Sequence, residues 1–259
     1  MPAAASAVAG GRLKYPSFLF RNALMLCSRW LFPAVFALVP ALAVAHHGQD
    51  FLLLEGPTVP HPGNAYLIAN AQIALSGEAE EQAGFEPSLF FGVSPRVAFE
   101  LHAHTEKRAG DRWRYEATAS AMHVLLTDLG RRDGFKAGIS VEYEVAAAKG
   151  EPDNVELRLS FENGTEENKW AGNLIANRKQ GGDSDFGAAL GFRHELRAGV
   201  ALGLEAQSSF QRAEGRQLLA GAYFELDESK TIKFALGGSR AQDGDMRPVV
   251  HVGLVLRLH

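Results

Sequence analysis

From about Asn64 to the C-terminus the chain reads as short segments in which apolar and polar positions alternate, separated by clusters of Gly, Pro, Asn, Asp and Ser. Residues 135–145 show it best: the odd positions, from Phe135 through Ile139, Val141 and Tyr143 to Val145, are apolar or aromatic. The even positions are Lys136, Gly138, Ser140, Glu142 and Glu144. A period of two is the signature of a strand with two unlike faces. It returns in Val97, Phe99, Leu101 and Ala103, and again in Val155, Leu157, Leu159 and Phe161. No stretch holds a helical period over three turns. Twelve strands are predicted, near 65–74, 85–93, 96–105, 112–123, 135–146, 154–162, 169–178, 184–193, 199–208, 216–226, 230–239 and 247–258.

Strands of roughly ten residues suit a tilted crossing of a bilayer, and an even count suits an antiparallel up-and-down transmembrane β-barrel of about 12 strands. The connections point the same way. Ser94-Pro95, the turn near His194–Arg197 and Asp227-Glu228-Ser229 are short, whereas SGEAEEQAG, EKRAGD, KQGGDS and AQDGD are longer or richer in Gly and charge. Short turns on one rim and long loops on the other is the asymmetry of an outer-membrane barrel. Both termini then fall on the periplasmic side. An all-β soluble protein with the apolar face turned inward remains the alternative, because alternation does not say which face meets water.

Composition changes this picture at the front of the chain. The one long apolar run, Met25 to Ala45, begins with Arg29 near its start and closes on Ala43-Val44-Ala45, the small-x-small pattern of a signal-peptide cleavage site. Residues 1–45 are therefore expected to be a cleaved leader, with Met25 as the natural start. Its loss removes Arg12, Lys14, Arg21 and Arg29 and no acidic residue, so the formal charge falls from -4 to -8. An acidic mature chain argues against nucleic acid as a partner. Cys27, the single cysteine, leaves with the leader, so disulfides and a thiol nucleophile are excluded from the mature chain. A mean hydropathy of -0.09 also excludes a bundle of spanning helices. Residues 46–63 are expected to form a periplasmic arm, set off from the 64–259 barrel by Pro60, Pro62 and Gly63.

The polar face holds the candidate chemistry. Glu100, His102, His104, Arg114, Glu116, Glu142, Glu156, Arg158, Arg193, Glu205 and Arg257 are expected to line a pore, with the arginines paired to Glu116, Glu142, Glu156 and Glu205. His102 and His104 share a face with Glu100, a spacing that serves a metal site, an acid–base pair or a mixed-charge network. His46, exposed as a new terminus beside His47, and His61 further on could hold a copper ion; no other cofactor is indicated. No G-x-S-x-G, H-E-x-x-H, P-loop or dinucleotide motif is present. Ser120 and His123, three apart, fall on opposite faces of a strand, which leaves a barrel-borne lipid hydrolase as a minor alternative.

The start HHGQDFLLLEG, the following PHPGNAYLIANAQ, the turn GVSPRVAFELHAH and the closing HVGLVLRLH resemble uncharacterised proteobacterial outer-membrane barrels grouped as transporters of the phenol-degradation (MetA) pathway. The likeness spans most of 46–259 and lies in architecture and turn style. It implies a pore or transporter with no defined substrate. Such barrels usually end on an aromatic residue read by the barrel-insertion machinery, whereas this chain ends Leu256-Arg257-Leu258-His259. Three readings follow: a pore or transporter for a small solute; a structural or metal-sensing surface protein with a plugged lumen and a copper-binding start; and a soluble exported β-protein. In the first two, outer-membrane lipid and the insertion machinery are the expected partners.

Overall fold

The computed structural model describes residues 50–75, 81–108, 110–127, 134–165, 167–211, 216–240 and 244–258. The expected leader, His46 and His47 lie outside them. Twelve strands run in chain order: β1 Ala65–Ala74, β2 Glu81–Ser94, β3 Val97–Arg108, β4 Trp113–Leu125, β5 Lys136–Ala146, β6 Asn154–Gly164, β7 Asn168–Lys179, β8 Ser184–Arg197, β9 Val200–Ser209, β10 Gln217–Asp227, β11 Lys230–Arg240 and β12 Met246–Leu258. Each pairs antiparallel with its sequence neighbours, and β1 closes the ring on β12 from Ala65↔Leu258 to Ala74↔Val249. A closed ring satisfies every interior backbone group and leaves no edge, the condition for crossing lipid with strands.

Alternation sorts the side chains. Leu101, Leu157, Trp170, Leu190, Leu204 and Leu236 stand on the outer surface at 43–62% exposure. Residues of the opposite parity, such as Glu100 and Glu205 one position away and Asn173 and Lys233 three away, are buried on the inside. An apolar outer face that repeats on strand after strand, around a buried polar interior, is stable in lipid and not in water. The soluble alternative is therefore set aside.

The connections on the rim holding the chain ends span only 95–96, 165–167, 198–199 and 228–229. Those on the other rim span four to seven residues. The exception is 126–135, the β4–β5 connection, a long link on the short-turn rim.

The interior is only partly polar, and here the expected arm is corrected. Residues 50–60 do not lie outside the barrel. They run inside it, because their apolar side chains find there the surface that water does not provide. Phe51 and Leu54 pack on Ala171 and Ala189, Leu52 and Leu53 lie against Leu219, Ala235 and Val249, and Val59 meets Tyr66, Ile68, Phe90, Ala98 and Val255. Glycines of the wall make the room. A Cβ on Gly191 would stand 2.8 Å from Phe51 Cε1 and 2.9 Å from Leu54 Cδ1, and one on Gly92 would collide with the backbone oxygens of Pro60 and His61.

Candidate functional site

The lumen is built by small residues on one strand set beside charged ones on the next. On β4, Ala117, Ala119 and Ala121 face inward and lie opposite His104, His102 and Glu100 of β3. On the other side, Ala119 and Ala121 pair with Glu144 and Glu142 of β5. Large polar groups from two strands can thus lean over a third. A register shift at His104/Thr105 adds Glu116 to β4 and brings it to the cavity wall.

Polar tethers hold the arm across this interior. Glu205 accepts hydrogen bonds from the amides of Leu52 at 2.9–3.0 Å and Leu53 at 2.6 Å, and from the Tyr223 hydroxyl at 2.6 Å. Asn173 accepts from the Glu55 amide at 3.0 Å and donates back to the Glu55 carbonyl at 2.8 Å. Lys233 Nζ donates to the Phe51 carbonyl at 2.8 Å. Asp50 is paired with Lys169 and, at 3.4 Å, with Arg193. The Glu55 carboxylate meets Arg158 at 2.7 Å and His123 Nδ1 at 2.9 Å. Burial by itself would raise the Glu55 pKa; the charges of Arg158 and His123 outweigh it and hold the carboxyl at about 2.

Above the arm lies a polar cavity of about 440 Å³. Leu52–Glu55 are among its lining residues, together with Glu86, Glu100, His102, His104, Glu116, Glu142 and Arg158 from the wall. Of the other residues expected on the inner face, Glu156 binds Arg158 at 2.9 Å, while Arg193 and Glu205 grip the arm. Arg257 sits across from Tyr66 on β1. Arg114 does not join them: its side chain is 56% exposed at the loop-bearing rim and pairs with Asp111 at 2.9 Å.

The expected pairing of arginines with wall glutamates is corrected as well. Arg158 has Glu156 but shares itself with Glu55, Arg193 takes Asp50 and Glu225, and Glu205 serves the arm backbone. The arm brought the missing counter-charges. Asp50, Glu55, Lys169, Asn173 and Tyr223 were therefore absent from the sequence-derived set, although Lys169 and Asn173 do fall on the inward parity of β7.

His61 is exposed, and its carbonyl accepts from the Asn64 amide at 2.9 Å. His123 lies directly across from Ser140. Its Nδ1 meets Glu55 at 2.9 Å and its Nε2 lies 3.2 Å from Glu100, so carboxylates stand at both ring nitrogens. Ser120 lies on the outer face, away from His123.

Solved structures share this architecture. The NanC porin superposes with a TM-score of 0.57 at 7% identity, covering 74% of this chain and all of that one. The KdgM porin does so at 0.55 and 7%, covering 75% and 99%. The fold is that of a porin-like outer-membrane barrel. The KdgM porin in complex with disordered oligogalacturonate superposes at 0.54 and 8%, covering 76% and 99%. The outer membrane phospholipase A of Escherichia coli, an enzyme, superposes less well, at 0.47 and 12%, covering 76% and 97%. No family model and no curated protein matches the chain.

Proposed function

We propose that the chain is a passive, non-enzymatic outer-membrane pore for a small solute, with both termini periplasmic and its N-terminal arm narrowing the lumen. The carrying observation is the polar cavity whose floor is this arm: a route bounded by the wall and closed by non-covalent contacts alone. The porin-like fold and the apolar outer surface support it. Acidic groups prevail in the cavity, with Glu55, Glu86, Glu100, Glu116 and Glu142 set against Arg158, so cations and neutral solutes are favoured over anions. Reconstituted in a planar bilayer under a salt gradient, the protein should give a cation-selective reversal potential; anion selectivity overturns the assignment.

The arm within the lumen also favours a second reading, a plugged barrel with a structural or sensing role. It predicts no conductance with the arm present or removed.

A further inference from the structure

The upper wall of the cavity carries a cluster that pore charge alone does not require. His102 Nδ1 lies 3.2 Å from one Glu86 oxygen, and His104 Nδ1 lies 3.7 Å from the other. On their far sides His102 Nε2 is 3.4 Å from Glu142 and His104 Nε2 is 3.4 Å from Glu144. The two imidazoles stand edge to face with centroids 4.9 Å apart. His102 is nine-tenths buried, and the Nε2 atoms of both rings are buried with no hydrogen-bond partner. Two imidazoles set among three carboxylates, with two buried ring nitrogens that make no well-formed hydrogen bond, are a compact set of nitrogen and oxygen donors.

We propose that this cluster binds a divalent metal ion of the zinc, cobalt and nickel class. Two overlapping triads, Glu86–His102–His104 and His104–Glu142–Glu144, each bring three ligand atoms within 4.8 Å of one another. A tetrahedral ion with nitrogen and oxygen ligands at about 2.0–2.2 Å sets neighbouring ligand atoms about 3.4 Å apart, and the four nitrogen–oxygen distances lie at 3.2–3.7 Å. Imidazole together with carboxylate selects this class over calcium or magnesium, which take oxygen alone. The fold builds the site deliberately: β2 supplies Glu86, β3 the histidines and β5 the two glutamates, while the alanines of β4 keep the space between them open. Arg158, the cation lining the same cavity, is already held by Glu55 and Glu156. Three protein ligands per triad, facing a cavity, leave a position for water or an incoming group, so the ion exchanges rather than locks the fold. The site stands whether or not the lumen conducts.

The test is calorimetric titration of the detergent-solubilised full chain with Zn²⁺, backed by Co²⁺ ligand-field absorption. The parent carries His46→Ala, His47→Ala and His61→Ala, so that the N-terminal histidines do not contribute. Saturable binding is expected, weakened about 100-fold by His102→Ala with His104→Ala and at least about 10-fold by Glu144→Gln. A heat-modifiability gel checks that each variant is folded. Equal affinity in parent and double-histidine variant overturns the site, as does the absence of saturable binding in the parent. If the histidine variant does not fold, the isosteric pair Glu86→Gln with Glu144→Gln decides, and unchanged affinity there overturns the site equally.

Discussion

Single carboxylates in the interior bind backbone, side chain and counter-ion together, and two of them control the arm. Glu205 is 1% exposed and gathers the Leu52 and Leu53 amides with the Tyr223 hydroxyl. Glu205→Ala leaves two buried amides without an acceptor, at a cost of about 1–3 kcal/mol each. Hydrogen exchange at Leu52 and Leu53 should then accelerate at least about tenfold; unchanged protection would show that the apolar contacts alone hold the arm. Glu55 sets a pH limit. Its pKa is depressed in the folded state to about 2 from an ordinary value of 4.5, so its contribution is complete above about pH 4.5 and is lost as pH falls toward 2. Proteolysis of the arm should increase across that interval in the parent chain, and Glu55→Gln should remove the step and leave the arm loosely held at neutral pH.

At the scale of elements, the strands were legible and the arm was not, for one physical reason. A strand in a barrel wall is read from its own residues, since one face meets lipid and the other the lumen; hence all twelve predicted segments overlap the twelve observed, from 65–74 to 247–258. The run Phe51-Leu52-Leu53-Leu54 has no period and is followed by Pro57, Pro60 and Pro62, so it reads as a linker. What docks it is Glu205, 153 positions from Leu52. The candidate site divides in the same way. Glu100, His102, His104 and Glu142 were visible through alternation on β3 and β5. Glu86 was hidden because Phe90 and Phe91 place an aromatic on each face of β2 and Pro87 interrupts its polar text. The arm's seat has its own test. Gly191→Val puts a side chain where Phe51 and Leu54 pack, and overpacking of this kind costs about 1–3 kcal/mol. It should raise protease sensitivity at residues 50–62 while the barrel keeps its heat-modifiable mobility. An arm that stays protected would place its anchoring elsewhere.

The molecule as a whole is a wall turned inside out relative to a soluble β-protein, with its apolar residues outside and a polar, partly filled interior. A charge on the lipid face should therefore be far more costly than one in the lumen. Leu204→Arg, at a side chain 57% exposed on the outer face, should lose about 2–4 kcal/mol in a bilayer unfolding titration. Gln207→Arg, at a residue lining the cavity, should lose much less. Equal costs would argue against the assigned faces. Wall and arm together make the central claim, a porin-like barrel whose lumen is narrowed from within by the arm. Its most direct measurement is single-channel conductance in a planar bilayer for the chain with and without the arm, both verified as folded by heat modifiability. A clear rise in conductance on removing the arm is predicted. A folded, arm-free barrel that conducts no better than the intact one would contradict it.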